Sequence, residues 1–544
     1  MTHLPPPHLP PPHVPPPHVT QNWHVAKPGA AGRRGMVASQ SRDAALAGVA
    51  ALDAGGTAAD AAVATALALA AVEPWNSGLG GIGFAVVHRA GQARAEVVDF
   101  GPRAPGRLDA SAFRLAGGTT RDLFSWPAVE GDANIHGPLS FVVPSAVAGY
   151  AELHGRWGRL PLDRLMAPAI ALARRGLAQD WYTTLKVANS AAVLRRYEES
   201  ARIYLPDGLP PVAPYQGSPG FFPLGNLADT LAQLSEQGLR DFYDGDIAAT
   251  IAEDVARMGG VLTRDDLRGC RAEVRPAHEI AWRGRVWQTA GGLTAAPTLM
   301  RVMEELRGLD YGAAPDAPWF AALATAMRSA YAERLSGLGE GGAGSRDGEP
   351  PAAQSCTSHL TACDEAGTMV SMTTTLLSSM GSRVVLPRSG VLMNNGVMWF
   401  DPSPGRPNSI GPGKRPLTNM CPVVVREGDA PVLAGGASGG RRILAAVFQT
   451  LTYASDFGMA PSEAVHHPRI DVSDADRVTA DDRLPGDVLS ALRAGAEVDC
   501  VEHAVMPLNF ACPNLIAQGG PGAGGTRVGA TDVMSPWSAA VAQA

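Results

Sequence analysis

The chain changes character at Thr357. Upstream, residues 140–330 carry mostly helical patterning, with candidate helices at Ser145–Trp157, Leu165–Arg174, Ile247–Met258, Arg264–Leu267 and Pro315–Leu335. Residues 336–355 are rich in Gly, Pro and Ser with alternating charge, which predicts a flexible linker. Downstream, His359–Cys363 and Thr368–Leu377 alternate or carry β-branched residues around Asp364-Glu365-Ala366-Gly367, the pattern of a β-hairpin. Further strands are expected at Val391–Met393, Pro422–Arg426 and Pro431–Leu433, then a helix from Gly439 to about Phe457. A strand block that begins at Thr357 and stacks on helices predicts an α/β fold of layered-sandwich type.

At the other end, residues 4–18 repeat as LPPPH-LPPPH-VPPPH-V. Such a segment suits an extended polyproline-type tail, with His8, His13 and His18 as solvated imidazoles, and residues 1–34 are set outside the fold. The ordered body is expected to start near Gly35. Ser39–Ala71 reads as two Ala-rich helices broken at Gly55-Gly56-Thr57, with Asp60 in the first turn of the second, where an acid complements the helix dipole. Glu73-Pro74 ends that helix, and the Gly-rich Ser77–Gly83 leads into a strand, Phe84–His88. This turn follows a helix and precedes a strand, the reverse of the dinucleotide fingerprint, so nucleotide binding is rejected.

The 544 residues, 45% hydrophobic and 18% charged, are ample for a large core. A formal charge of −7 argues against nucleic acid or an anionic membrane as partner. Cys270, Cys356, Cys363, Cys421, Cys500 and Cys512 are scattered without C-x-x-C or metal-type spacing, so free thiols are expected, with no metal and no cofactor. The apolar run Ala61–Val72 is too short to span a bilayer. No basic segment followed by an apolar one marks a secretory signal, so the expected location is cytoplasmic.

What chemistry could start at Thr357? A Thr that becomes the first residue of a cut chain carries both a nucleophilic hydroxyl and a free α-amine to serve as its base. That amine titrates at roughly 7.7–8.0, so a useful fraction is neutral near pH 8. Before the cut, the Thr357 hydroxyl would attack the carbonyl of Cys356, with the linker giving the turn its slack. Gly439 and Gly440 open a predicted helix, where orphan N–H groups and the dipole favour a developing oxyanion. His359 is read as a packed strand histidine, and His466-His467 as loop residues ahead of Pro468.

A set of segments in fixed order then carries a resemblance. It includes Gly55-Gly56-Thr57-Ala58-Ala59-Asp60, Glu73-Pro74-x-x-Ser77-Gly78-x-Gly80-Gly81, Val143-Pro144-x-x-Val147-Ala148-Gly149, Gly259-Gly260-x-Leu262-Thr263, Thr357-Ser358-His359, Thr373-Thr374-Thr375, Asn394-Asn395, Lys414-Arg415-Pro416-Leu417 and Ser438-Gly439-Gly440. Over residues 35–535 the chain resembles the γ-glutamyltransferase (glutathione hydrolase) family of autoprocessed N-terminal-nucleophile hydrolases. The resemblance implies a four-layer αββα sandwich, formed jointly by a large subunit (35–356) and a small one (357–544) after cleavage between Cys356 and Thr357. It also implies a small-molecule amide as substrate, a heterodimer from one chain, Thr375 as the second threonine holding the nucleophile, and Gly439 and Gly440 as the oxyanion glycines.

The departures from the family bear on the substrate. Where the family has an Arg that clamps the substrate α-carboxylate, this chain has Gly101, with Arg103 two residues on. The family Asn two residues after the second threonine is Leu377. The Gln and Asp that follow Asn394-Asn395, the Asp gripping the α-amino group, are Gly396 and Trp399. The Ser-Ser pair is Thr418-Asn419, and Asp401–Gly413 is shorter than the form that carries a lid. The expected enzyme is an amidase or acylase whose acyl group lacks a free α-amino acid head, with Arg103, Trp399, Thr418 and Asn419 as candidate substrate contacts. A shorter lid favours water over an amine acceptor.

Overall fold

The computed structural model describes residues 25–120, 126–310, 312–340, 356–473, 477–519 and 525–544. The Pro/His repeat and linker residues 341–355 lie outside the described residues. Two seven-stranded sheets form the centre. One runs in the order Ala539–Ala542, Met36–Ser39, Cys356–Cys363, Met369–Leu377, Ile82–His88, Glu96–Phe100 and Glu273–Pro276. The other runs Ala30–Gly32, Arg527–Thr531, Cys512–Gln518, Ala430–Ser438, Val423–Glu427, Arg285–Thr289 and His278–Trp282. All the pairings within both sheets are antiparallel.

The layers follow from the two-residue period of the strands. Ile82, Phe84 and Val86 face the other sheet, alongside Met36, Val424, Ala434 and Ile516, while Ala85 and Val87 point the opposite way into a helical layer. The same alternation puts Val423, Val425, Leu433 and Leu515 against a second helical layer. The first layer includes Arg42–Asp53, Ala58–Val72, Ala146–Trp157 and Leu162–Arg175; the second includes Ala296–Leu306, Ala317–Gly337 and Ile443–Ser455. This is the expected four-layer αββα sandwich. The Ala-rich pair forms as expected. Thr57 and Asp60 build a reciprocal capping box on Ala58–Val72, and Glu73 ends it.

Three expectations are corrected. Residues 273–289, read as part of a helical scaffold, supply three strands: Glu273–Pro276 and His278–Trp282 each close the edge of one sheet, and Arg285–Thr289 lies one strand further in, its Val286 and Trp287 β-prone. Val391–Met393 is not a strand: Leu392 and Met393 make only isolated bridges, to Val385 and Gly80. The ordered body also reaches upstream of Gly35, since Ala30–Gly32 pairs with Arg527–Thr531.

Candidate active site

Cys356 and Thr357 are consecutive residues of one strand in the uncleaved chain. Opposite them the register slips: Cys356 faces Leu377 and Ser358 faces Thr374, so Thr375 and Leu376 together oppose Thr357. A bulge of this kind re-aims a side chain. Here it brings the Thr357 hydroxyl to 3.2 Å from the Thr375 hydroxyl. Thr375 Oγ1 accepts from the Leu377 N–H at 2.8 Å and stands 2.7 Å from the Cys356 carbonyl oxygen, to which it donates. One hydroxyl therefore receives the nucleophile's proton and polarises the carbonyl that the nucleophile would attack.

The neighbouring residues of the strand are held from both sides. Ser358 donates to the Glu73 carboxylate at 3.0 Å and accepts from Ser77 at 2.8 Å. Burial pushes the Glu73 carboxyl up to about 7, against the hydrogen bonds from Ser358 and Asn76 that lower it. The His359 ring, fully buried, is bonded to Thr373 at 2.9 Å and Thr361 at 3.3 Å. Burial pushes its pKa down to about 3, so it stays neutral, as a packed strand histidine should. Gln40 ties the sheets together here, accepting from the His359 N–H at 3.1 Å and donating to Ser438.

Gly439 and Gly440 sit where the strand Ala430–Ser438 turns into a short 3₁₀ turn and then the helix Ile443–Ser455. Both have positive φ, 145° and 59°. At Gly439 a Cβ would lie 2.5 Å from Ala511 Cβ, so glycine is required twice over. Gly439 lines the cavity in front of Thr357, and the Gly439 and Gly440 N–H groups precede the first bond of the turn, which the Arg442 N–H donates to the Gly439 carbonyl at 3.2 Å.

That cavity is about 550 Å³. Its polar wall includes Asn76, Lys186, Arg383, Arg442 and Asn509, and its apolar wall Tyr182, Met398, Met506, Leu508 and Phe510. Of the residues predicted from sequence, it gathers Cys356, Thr357 and Gly439, with Thr375 directly behind. It does not gather the four candidate substrate contacts. Arg103 is exposed and donates to the Gly413 carbonyl at 3.0 Å. Trp399 is packed between the sheets, and the cavity wall on its turn is Met398. Thr418 and Asn419 are buried against Arg334, which donates to the Asn419 side chain at 2.9 Å. Gly101 has no room for a side chain: a Cβ would lie 2.4 Å from the Phe84 ring and 2.6 Å from Arg415 Nη2.

Sequence reasoning missed Lys186, Arg383 and Arg442. Lys186 had a usable signal. It lies on the helix Trp181–Leu194 in the stripe Tyr182, Lys186, Ser190, Leu194 that faces inward, where a lysine is out of place.

The protein-family model described as Gamma-glutamyltranspeptidase matches residues 44–344 and 343–506, and the chain belongs to that family. It is 28% identical over 520 residues to a glutathione hydrolase proenzyme of Bacillus subtilis (strain 168), covering 85% of this chain and 84% of the relative. It is 30% identical over 508 residues to an acylase ACY 1 proenzyme of Pseudomonas sp. (strain V22), covering 86% and 88%. A crystal structure of cephalosporin acylase from Bacillus halodurans superposes with a TM-score of 0.82 at 24% identity, over 96% of this chain and 98% of that one, and shares the fold. The chain is thus an N-terminal-nucleophile hydrolase acting on amide bonds.

Proposed function

We propose that the chain is a proenzyme that cuts itself between Cys356 and Thr357 and then hydrolyses amides whose acyl group carries no α-ammonium. In the first step the Thr357 oxygen bonds to the Cys356 carbonyl carbon. Its proton passes to Thr375 Oγ1, and the Thr375 proton passes to the carbonyl oxygen, along the hydrogen bonds already in place. As the C–N bond breaks, the hydroxyl formed on the Cys356 carbon gives up its proton and the Thr357 nitrogen gains one, leaving an ester and a free amine; water then releases Cys356 as a carboxylate. In turnover the amine takes the Thr357 proton as the hydroxyl attacks a substrate amide, and returns it to the leaving amine. The N–H groups of Gly439 and Gly440 receive the oxyanion. Water attacks the acyl-enzyme and regenerates Thr357.

The observation that supports the substrate reading is the cavity lining, which among the described residues contains no Asp or Glu. An α-ammonium brought there would lose water and gain no carboxylate, a cost of several kcal/mol. Hydrolysis over transfer is supported by the loop Asp401–Gly413, which closes on itself through Asp401–Asn408 and Ile410–Asp401 backbone bonds and contributes nothing to the cavity wall.

Intact-mass spectrometry of the purified chain tests the first half: two species split before Thr357 are expected, and a single full-length mass after prolonged incubation would point to an inactive scaffold. Side-by-side turnover of a γ-glutamyl anilide and its des-amino counterpart tests the second. Preference for the γ-glutamyl compound would make the chain a glutathione-type hydrolase, as the name of the Bacillus subtilis relative suggests. A dipeptide acceptor that accelerates acyl transfer past hydrolysis would overturn the hydrolase assignment.

A further inference from the structure

Among the described residues the cavity at Thr357 is lined by Lys186, Arg383 and Arg442 and by no acidic side chain, in a chain whose formal charge is −7. Such a local reversal of sign needs an explanation. Lys186 is 7% exposed, and its ammonium lies 3.9 Å from the Cys356 sulfur and 5.0 Å from the centre of the Tyr182 ring, with the buried Glu73 carboxyl acting on it through space. Arg442, two residues beyond the oxyanion glycines, donates to the Leu508 carbonyl at 2.6 Å. Among the described residues neither forms an ion pair. A cation at a cavity wall that touches no carboxylate is well placed to take a bound anion.

A second observation points the same way. The segment after the Thr375 strand holds three non-glycine residues at positive φ, Leu377 (87°), Met380 (61°) and Arg383 (62°). Left-handed backbone at such residues is costly and persists where surrounding structure enforces it. Here the enforcement is visible. Arg383 Nη1 donates to the Ser378 hydroxyl at 2.8 Å and the Gly381 carbonyl at 2.6 Å, and Asn395 donates to Ser378 at 2.7 Å. The strained turn puts Ser378, Ser379 and Arg383 into the cavity wall.

We infer that Lys186 and Arg442 form a subsite for an oxyanion of the substrate, with Arg383 adding to the field, and that these residues set specificity. The inference rests on the amidase reading of Thr357 and adds the substrate's charge. It replaces the carboxylate clamp at position 101, where no side chain fits. With Tyr182, Met398, Leu508 and Phe510 also in the lining, the substrate is an amide with an apolar body and one carboxylate or similar oxyanion, borne either on the acyl chain or on the leaving amine.

Three amides of matched length distinguish these sources: N-glutaryl-4-nitroanilide (acyl-side anion), N-pentanoyl-4-aminobenzoate (leaving-side anion) and N-pentanoyl-4-nitroanilide (neutral). On the matured enzyme, one of the two anionic amides should exceed the neutral one at least tenfold in kcat/KM. In Lys186→Met and Arg442→Met that ratio should fall to within about threefold of unity, mainly through KM, whereas Arg103→Met should keep it. Because Lys186 stands beside the cut, intact mass must show each variant matured; Arg442→Met serves if Lys186→Met does not cleave. Equal turnover of all three amides, or a preference that survives in Arg442→Met, overturns the subsite and leaves the amidase reading standing. Calorimetry on Thr357→Ala with the same compounds covers the converse case. Tighter binding of an anionic amide that the wild-type chain never turns over upholds the subsite and sinks the amidase reading. No binding and no turnover sinks both.

Discussion

The two walls of the cavity are built on opposite principles. On the catalytic side, Thr357 and Thr375 sit on adjacent strands at the centre of a sheet, their uncharged hydroxyls fixed by backbone and hydroxyl partners. On the recognition side, Arg383 and Arg442 belong to turns and Lys186 to a helix, all are cationic, and part of the backbone is strained. The lesson is a division of labour. Bond making needs atoms held within tenths of an ångström, which paired strands give. Substrate choice needs charge and shape, which turns can change without disturbing the sheet.

Substitutions can break or sharpen that contrast. The largest effect should come from Thr357→Ala, which leaves one full-length species by mass spectrometry and no amide turnover. Next is Thr375→Val, which keeps the shape but removes the donor on the Cys356 carbonyl. Self-cleavage should slow about 10²–10³-fold, the usual cost of losing one oxyanion donor, with little change in melting temperature. If Thr375→Val instead unfolds the chain, the hydroxyl is structural and the contrast fails. Gly439→Ala should cost both turnover and stability, about 1–3 kcal/mol for the latter in denaturant titration, because φ of 145° and the Ala511 contact both oppose a Cβ.

A smaller, pH-dependent effect belongs to Glu73. Burial raises its folded pKa to about 7 from the ordinary 4.5, so between these values the folded chain holds a proton that the unfolded chain releases. Stability should therefore fall as pH rises from about 4.5 to 7, by at most about 3 kcal/mol, and Glu73→Gln should flatten that window in pH-resolved urea titrations. The smallest effect is Arg103→Met: stability within about 0.5 kcal/mol and kcat/KM within about twofold are expected for an exposed side chain outside the cavity. A large loss there would return the carboxylate clamp to the loop after Phe100.

The same contrast explains what could be read from the chain. The catalytic wall comes from contiguous stretches with strong local signals: β-branched alternation around Thr375, a Gly pair at a helix entry, and a linker ahead of Thr357. The recognition wall comes from residues 186, 383 and 442, far apart in sequence, where each cation reads as surface charge until the fold brings them together. Trp399 shows the limit of pattern alone. Trp399 is expected to wall the cavity, but the 3₁₀ turn Gly396–Trp399 brings Met398 to the lining and leaves Trp399 in the core. An edge strand was missed for a related reason: Glu273–Pro276 is short and half charged, as exposed sheet margins tend to be.

Both central sheets interleave strands from either side of the Cys356–Thr357 bond. Cys356–Cys363 runs between Met36–Ser39 and Met369–Leu377, and Ala30–Gly32 closes the far edge beside Arg527–Thr531. Breaking that one bond would barely alter the folded molecule, yet it would change the other side of the balance from one chain to two. Refolding would turn from a first-order process into an encounter whose success depends on dilution. For the cut form, endurance would then be measured as a half-life set by the escape barrier, and a heated sample would not find its way back.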